Sequence, residues 1–261
     1  GIITGNSGRA VLLCVYDYLR RLGCRFLGPG SGCETVPLIP RASLTAAYKR
    51  QASFRHRGVC IEGANRLQNI LAFIDWLPKA GYNSFFLQFK NPYIFLARWH
   101  RHENNPLRAP EPYGPADAEA ADAALEGAIK KRGLLLHKVG HGWTGEALGC
   151  EARSWDADPA PLRSDKRPLA AQVDGVRGLW KGVPANTNLC FHNGEAVDAF
   201  AALVTKYAKE APNVDYLHVW LADEYNNVCE CEGCQKTTPS DQYVELLNEI
   251  DRRLTAEGMG T

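Results

Sequence analysis

An adjacent pair of carboxylates, Asp223 and Glu224, is the feature of this 261-residue sequence best suited to catalysis. The pair follows the apolar stretch 217–222, and catalytic groups of barrel enzymes lie at such strand ends. Neighbouring strand residues point to opposite sides, so the two carboxylates are expected to have different tasks. Glu224 is predicted to be a general acid, and Asp223 to orient or contact a substrate. The alternative is a helix N-cap and a surface ion pair.

Three cysteines follow the pair with the spacing Cys229-x-Cys231-x-x-Cys234. With a fourth ligand from elsewhere in the chain, these thiols would bind a structural Zn²⁺ ion. The candidates for that ligand are His141, His192 and Cys190. The spacing differs from common zinc and iron–sulfur runs, so one disulfide or three free thiols beneath a turn is the alternative. We expect no cofactor to be required for the chemistry itself.

Other polar and aromatic residues fall near the ends of predicted strands, where they would line a binding site. The residues expected to contact a substrate are Glu62, Asn65, Gln88, Lys90, His137, His141, Trp143, Trp220, Tyr225 and Asn226. Aromatic rings stack on the apolar faces of sugars, although a single ring is more often part of a core. Asn65 is equally suited to capping the next helix, and the two histidines to a core position.

The elements that must position these residues alternate between strand and helix. Strands are predicted at 58–64, 83–90, 133–139 and 216–224, and helices at 67–80, 116–132, 195–210 and 241–257. Such alternation predicts parallel βαβ units. The turns from helix to strand are short, whereas 91–115 and 140–194 are long loops after strands. Long loops on one face favour a (β/α)8 barrel of the TIM type over an open doubly wound sheet.

Counting these elements divides the chain into two predicted parts. Residues 1–50 contain a strand end at 2–4, a helix over 9–22 ended by Gly23, and a strand at 24–27. We interpret them as the end of a small α/β domain, followed by a polar link over 42–56. Residues 57–261 would be the first four βα units of a barrel. The sequence is thus expected to be a fragment, inactive or poorly stable alone because half a barrel leaves unpaired strand edges.

Composition excludes several classes of protein. Lys and Arg total 30 against 29 for Asp and Glu, so binding of nucleic acid by bulk charge is not expected. No apolar run approaches the roughly 20 residues of a membrane helix. Nine cysteines, an odd number and mostly scattered, favour a reduced protein and predict a cytoplasmic location. The expected partner is an oligosaccharide or glycan.

Three segments resemble known carbohydrate-active families. The first 30 residues resemble the end of the small domain that precedes the barrel in family-20-type hexosaminidases and α-glucuronidases. The first βαβ unit of that barrel resembles RGVCIEGANRLQNILAFIDWLPKAGYNSFFLQF. The segments NLCFHNGEAVDAF and VWLADEYNNVCECEGCQKTTPSDQYVELLNEID are similar to a bacterial domain of unknown function that includes glycoside hydrolase family 163. Members of that family are endo-β-N-acetylglucosaminidases acting on complex N-glycans.

This resemblance implies hydrolysis of a glycosidic bond in a glycan that contains N-acetylglucosamine. In family-20-type enzymes an Asp-Glu pair at the end of the fourth strand divides the work, and Asp223-Glu224 matches it in position and order. The resemblance therefore assigns Asp223 to orienting the attacking acetamido group and Glu224 to protonating the leaving oxygen. Two alternatives are a non-catalytic carbohydrate-binding barrel and a metal-binding module built on the cysteines.

Overall fold

A computed structural model describes residues 1–40, 46–158 and 160–259. Their helices are α1 Gly8–Arg21, α2 Leu67–Ala80, α3 Tyr93–Arg101, α4 Pro115–Lys131, α5 Trp143–Ala147, α6 Gly194–Glu210 and α7 Pro239–Ala256. Their strands are β1 Arg25–Phe26, β2 Glu34–Thr35, β3 Gly58–Cys60, β4 Ser84–Gln88, β5 Leu135–Gly140, β6 Gln172–Val173, β7 Val176–Arg177 and β8 Tyr216–Val219. The fold is therefore mixed α/β.

A four-stranded sheet has the strand order β3-β4-β5-β8, and two antiparallel hairpins, β1-β2 and β6-β7, accompany it. Strands β3 and β4 run parallel, with Gly58 beside Ser84 and Cys60 beside Phe86. Helices separate successive strands of the sheet, as parallel connections require. The assignment of these four strands to half of a TIM-type barrel stays a prediction.

By internal contacts the chain forms two compact units, one of residues 1–87 and 91–137 and one of residues 88–90 and 138–259. The predicted boundary near residue 50 does not coincide with this division. The predicted polar link falls partly on residues 41–45, which lie outside the described residues.

The first unit shows how local signals set its helices. Ser7 caps α1 by accepting a hydrogen bond from the Ala10 N–H at 3.1 Å. Helix α2 matches its predicted bounds, buries Ile70, Ile74 and Leu77 along one face, and ends at Gly81 in the left-handed region. That conformation favours glycine because it has no Cβ to clash with the preceding turn.

The second unit has a core between α5, α6 and α7. Trp143, Phe200, Val204 and Ile250 are buried there, and Leu217, Val219 and Leu221 pack against them. Helix α7 begins with a capping box in which Thr238 and Asp241 bind each other's backbone N–H groups.

Several predicted bounds were wrong. Strand β8 ends at Val219 rather than residue 224, and β3 ends at Cys60 rather than residue 64. Residues 2–4 have no strand assignment, and the predicted long loops contain α3, α5 and the β6-β7 hairpin. Within the described parts of the chain, no helix is long and apolar enough to cross a membrane.

Candidate functional site

The carboxylate pair lies on an exposed loop that leaves strand β8. Because β8 ends four residues before Asp223, strand alternation does not govern the directions of the two side chains. Asp223 Oδ1 instead accepts a hydrogen bond from the Glu224 N–H at 2.9 Å. Glu224 and Asn226 have positive φ angles of 75° and 56°. For Glu224 this conformation costs about 1–2 kcal/mol, whereas asparagine adopts it more readily, so the surrounding contacts must hold the loop at Glu224.

Buried amides beneath the loop supply those contacts. The Asn227 side chain is 3% exposed, donates to Asn186 O at 2.8 Å and to Asp223 O, and accepts from Asn188 Nδ2 at 3.1 Å. Asn188 Oδ1 accepts from the Ala222 N–H at 3.2 Å. The amides of residues 188 and 227 therefore tie both ends of the Asp223–Glu224 step to the segment at 186–188.

A lysine and two aromatic rings lie beside Glu224. Lys181 Nζ lies 3.8 Å from Glu224 Oε2, and both side chains are substantially exposed. Such a pair is worth little in water, so it leaves the carboxyl group available for another contact. The Lys181 ammonium also lies 5.3 Å from the Trp180 ring centroid and 5.9 Å from that of Tyr225. Tyr225 is 72% exposed and offers its ring to solvent.

A second aromatic group forms where β5 and β8 end. The ring of His141 contacts Trp220 at 4.7 Å, Trp155 at 5.4 Å and Phe89 at 5.8 Å between centroids. Trp220 also meets His218, whose pKa is lowered by burial and which is therefore neutral at physiological pH. Of the predicted contact residues, the structure brings His141 and Trp220 together.

Three predicted contact residues of the second unit serve its packing. Trp143 is fully buried and donates its indole N–H to His218 O at 3.1 Å, so it has no exposed ring face for a sugar. Lys90 pairs with Glu146 and lies 5.1 Å from the Trp143 ring, and Gln88 is 4% exposed. Trp143 and Gln88 are buried, which the strand alternation did not show, whereas the Lys90 side chain stays one-third exposed beside Glu146.

Glu62, Asn65 and His137 belong to the first unit. Glu62 Oε1 accepts from the Gly63 N–H at 3.1 Å, and the Asn65 side chain donates to Glu62 O. The alternative of Asn65 as a helix cap was wrong, because Arg66 is the N-cap residue of α2. His137 lies on β5 and its ring meets that of His56 at 5.3 Å.

The cysteine run forms a compact cluster, and its fourth member is Cys190. The Sγ atoms of Cys190, Cys229, Cys231 and Cys234 all lie within 4.8 Å of one another. Cys190 Sγ lies 3.6 Å from Cys231 Sγ and 3.8 Å from Cys234 Sγ, and all four residues are free thiols. Four sulfurs around a tetrahedral Zn²⁺ with bonds of ~2.3 Å are ~3.8 Å apart. The cluster thus has a donor set and spacing that fit a metal ion, and the disulfide alternative is wrong.

Two hydrogen-bond donors face one sulfur of the cluster, and the thiols differ in their pKa values. Cys229 Sγ accepts a hydrogen bond from the Gln172 N–H at 3.3 Å, and Arg177 lies 4.0 Å from the same sulfur. Burial raises the pKa of Cys231, but the Cys234 N–H and neighbouring thiols outweigh it and hold that pKa at about 6. Burial raises the pKa of Cys190 and Cys234, so Cys231 ionises before these two thiols.

Of the candidates for a fourth ligand, Cys190 is in the cluster, while His141 lies among the aromatic rings. His192 instead lies against Gly233, where a Cβ atom would come within 2.0 Å of the ring. Sequence spacing could not choose among these three residues, since the hairpin and the turn before α6 bring Cys190 to the run.

The first unit contains a cavity of about 460 Å³ that the sequence interpretation missed. Trp99, His100, Glu111 and Tyr113 are among its lining residues. Hydrogen bonds from His102 and Arg108 lower the pKa of Glu111 to about 2. Burial, with the nearby Asp117 charge, raises the pKa of Tyr113 to about 12. The weak signal in the sequence was the aromatic and histidine content of the segment predicted as a loop.

No protein-family model, curated protein or solved structure matches this chain.

Proposed function

We propose that the chain carries the catalytic carboxylates of a glycoside hydrolase acting on a glycan that contains N-acetylglucosamine. The observation that carries the proposal is the Asp223–Glu224 step on an exposed loop after a strand of the parallel sheet, held from beneath by buried amides. The sugar class rests on the resemblance of this segment to glycan-cleaving families. The Tyr225 ring and the group around Trp220 supply aromatic surface of the kind that sugars stack on.

In this proposal the two carboxylates act on different atoms of the substrate. Asp223 hydrogen-bonds the N–H of the acetamido group and turns its oxygen towards the anomeric carbon. That oxygen attacks the carbon while the glycosidic bond breaks, and Glu224 gives its proton to the departing oxygen. Water then opens the cyclic intermediate, and the Glu224 carboxylate takes the proton of that water. The substrate replaces the usual carboxylate nucleophile.

Leaving-group dependence in the complete gene product tests this assignment. Glu224→Gln should abolish hydrolysis of a glycan but spare much of the kcat/KM for an aryl glycoside, because kcat/KM reports bond cleavage and a phenolate leaves without a proton. The kcat for the aryl glycoside should still fall, since the second step uses the Glu224 carboxylate as its base. Asp223→Asn should impair both substrates. The exposed Glu245 provides a matched control, and Glu245→Gln should change neither. Equal losses of kcat/KM on both substrates in Glu224→Gln would refute the assignment of Glu224 as the acid. Glycan binding without hydrolysis in the wild type would favour the non-catalytic carbohydrate-binding barrel.

A second candidate function, binding of a structural Zn²⁺ ion, is favoured by the four convergent sulfurs. Cys190, Cys229, Cys231 and Cys234 would be its ligands, with no position left open for a substrate. Metal analysis of the protein purified under reducing conditions should give one zinc per chain. Cys231→Ser should lower that content, whereas Cys150→Ser, which removes a thiol outside the cluster, should not.

A further inference from the structure

The cysteine cluster joins segments that are far apart in sequence. Cys190 lies in the turn before α6, where its carbonyl accepts from the Asn193 N–H at 2.9 Å. The other three cysteines follow the carboxylate loop and lead to α7, whose Gln242 donates to Cys234 O at 2.7 Å. One metal ion on these four sulfurs would therefore cross-link the turn before α6 to the run before α7.

The same two segments hold the carboxylate loop. Asn188, which binds Asn227 and the Ala222 N–H, is two residues from Cys190. Asn227, which reaches back to Asn186 O and Asp223 O, is two residues from Cys229. The cluster and the amide network therefore join the same two segments of the chain at neighbouring positions. Slippage of 186–190 against 227–231 would break both.

The β6-β7 hairpin is a third segment in contact with the cluster. The Glu230 N–H donates to Gln172 O at 2.8 Å, while the Gln172 N–H donates to Cys229 Sγ. Arg177, on the other strand of this hairpin, brings a positive charge to the cluster. Four thiolates around a divalent cation carry a net charge of −2, which the Arg177 guanidinium partly offsets. The hairpin therefore supplies both the hydrogen bond and the countercharge of a metal thiolate centre.

The carboxylate loop, residues 223–226, depends on contacts with other segments to keep its conformation. Glu224 and Asn226 both have positive φ angles, and residues 223–226 are exposed, with little packing of their own. A metal ion held by all four sulfurs would add a cross-link between 186–190 and 227–234, next to the amide network that holds the loop. We infer that metal bound by these four cysteines is the lock that keeps the Asp223–Glu224 loop in its strained conformation. This inference rests on the proposed Zn²⁺ binding and assigns that centre a positioning role for the candidate catalytic pair.

Hydrogen exchange measured by mass spectrometry tests the lock without relying on activity. The complete gene product is compared with zinc bound and after removal of zinc by a chelator under reducing conditions. Exchange in the peptide covering 220–236 should rise at least tenfold on metal removal and return on adding Zn²⁺. A peptide from the middle of α6, whose Phe200 and Val204 are buried in the core, should change less than twofold.

Substituted proteins and a spectroscopic probe separate the two hypotheses. Cys190→Ser should reproduce the faster exchange, and Cys150→Ser should not; if Cys190→Ser fails to fold, the chelated wild type gives the same comparison. Cobalt(II) replacing zinc should show the absorption of a tetrahedral four-thiolate site. A tetrathiolate cobalt spectrum with unchanged exchange at 220–236 would overturn the lock and leave metal binding intact. Absence of stoichiometric metal binding would overturn both.

Discussion

The loss of unfolding free energy on replacing Asn227 can be estimated, because its side chain is surrounded almost entirely by protein. Asn227→Ala removes two donated hydrogen bonds and one accepted bond. Asp223 O is on an exposed residue and can bind water instead. Asn186 O and Asn188 Nδ2 belong to buried residues, and each loses a partner. At ~1–2 kcal/mol for each buried group, the substitution should cost about 3 kcal/mol of unfolding free energy.

Urea unfolding followed by circular dichroism, at saturating Zn²⁺ and in reducing buffer, measures this cost as a shift of midpoint with unchanged slope. Asn227→Asp keeps the size but turns an acceptor towards two carbonyl oxygens, so it should be worse at pH 7 than Ala and improve as the pH falls towards 4. The exposed helical Asn248 is the matched control, and Asn248→Ala should lie within ~0.5 kcal/mol of wild type. A loss below 1 kcal/mol for Asn227→Ala would refute the view that this amide anchors the loop.

Three further predictions concern the cluster and the cavity. Gly233→Ala should weaken zinc affinity at least tenfold in a competition titration, because its Cβ would overlap the His192 ring; Gly194→Ala, which has open space, should not. In chelated protein at pH 7, iodoacetamide should label Cys231 before Cys190 and Cys234, and the labelling rate of Cys231 should fall as the pH drops below about 6. Peptide mass spectrometry measures the order of labelling, and equal labelling of the three cysteines would contradict the prediction. Tyr113→Phe should leave the melting temperature unchanged or higher, since the buried hydroxyl has no hydrogen-bond partner among the described residues, whereas a fall of several degrees would show a partner there.

Local signals in the sequence predicted most of the helices. The apolar spacing of α2 and the glycine after it gave the correct bounds, because a helix can be read from contacts within four residues. Strand ends were less predictable. The apolar residues 217–222 suggested a strand up to Glu224. The Trp220 N–H still donates to Gly140 O at 3.1 Å, but the next residues turn away, and the N–H groups of residues 222 and 223 donate to Asn188 Oδ1 and Ala185 O. Those partners lie more than 30 residues away.

The candidate site was predictable in the same uneven way. Three cysteines within six residues can be recognised as possible ligands from the sequence alone. The fourth cannot, since only the fold distinguishes Cys190 from His141 and His192. Trp143 and Lys90 have the residue types of a sugar site, yet Trp143 is fully buried and the Lys90 ammonium pairs with Glu146. Residue type indicates what a side chain is able to do, whereas long-range packing decides whether it is exposed to do it.

Release of glycan from a complex-type N-glycoprotein by the complete gene product tests the proposed hydrolase most directly. Mass spectrometry should show free oligosaccharide ending in N-acetylglucosamine with the wild type and with Glu245→Gln, and at least a thousandfold less with Glu224→Gln. Release by Glu224→Gln at the wild-type rate would contradict the assignment of Glu224 as the proton donor.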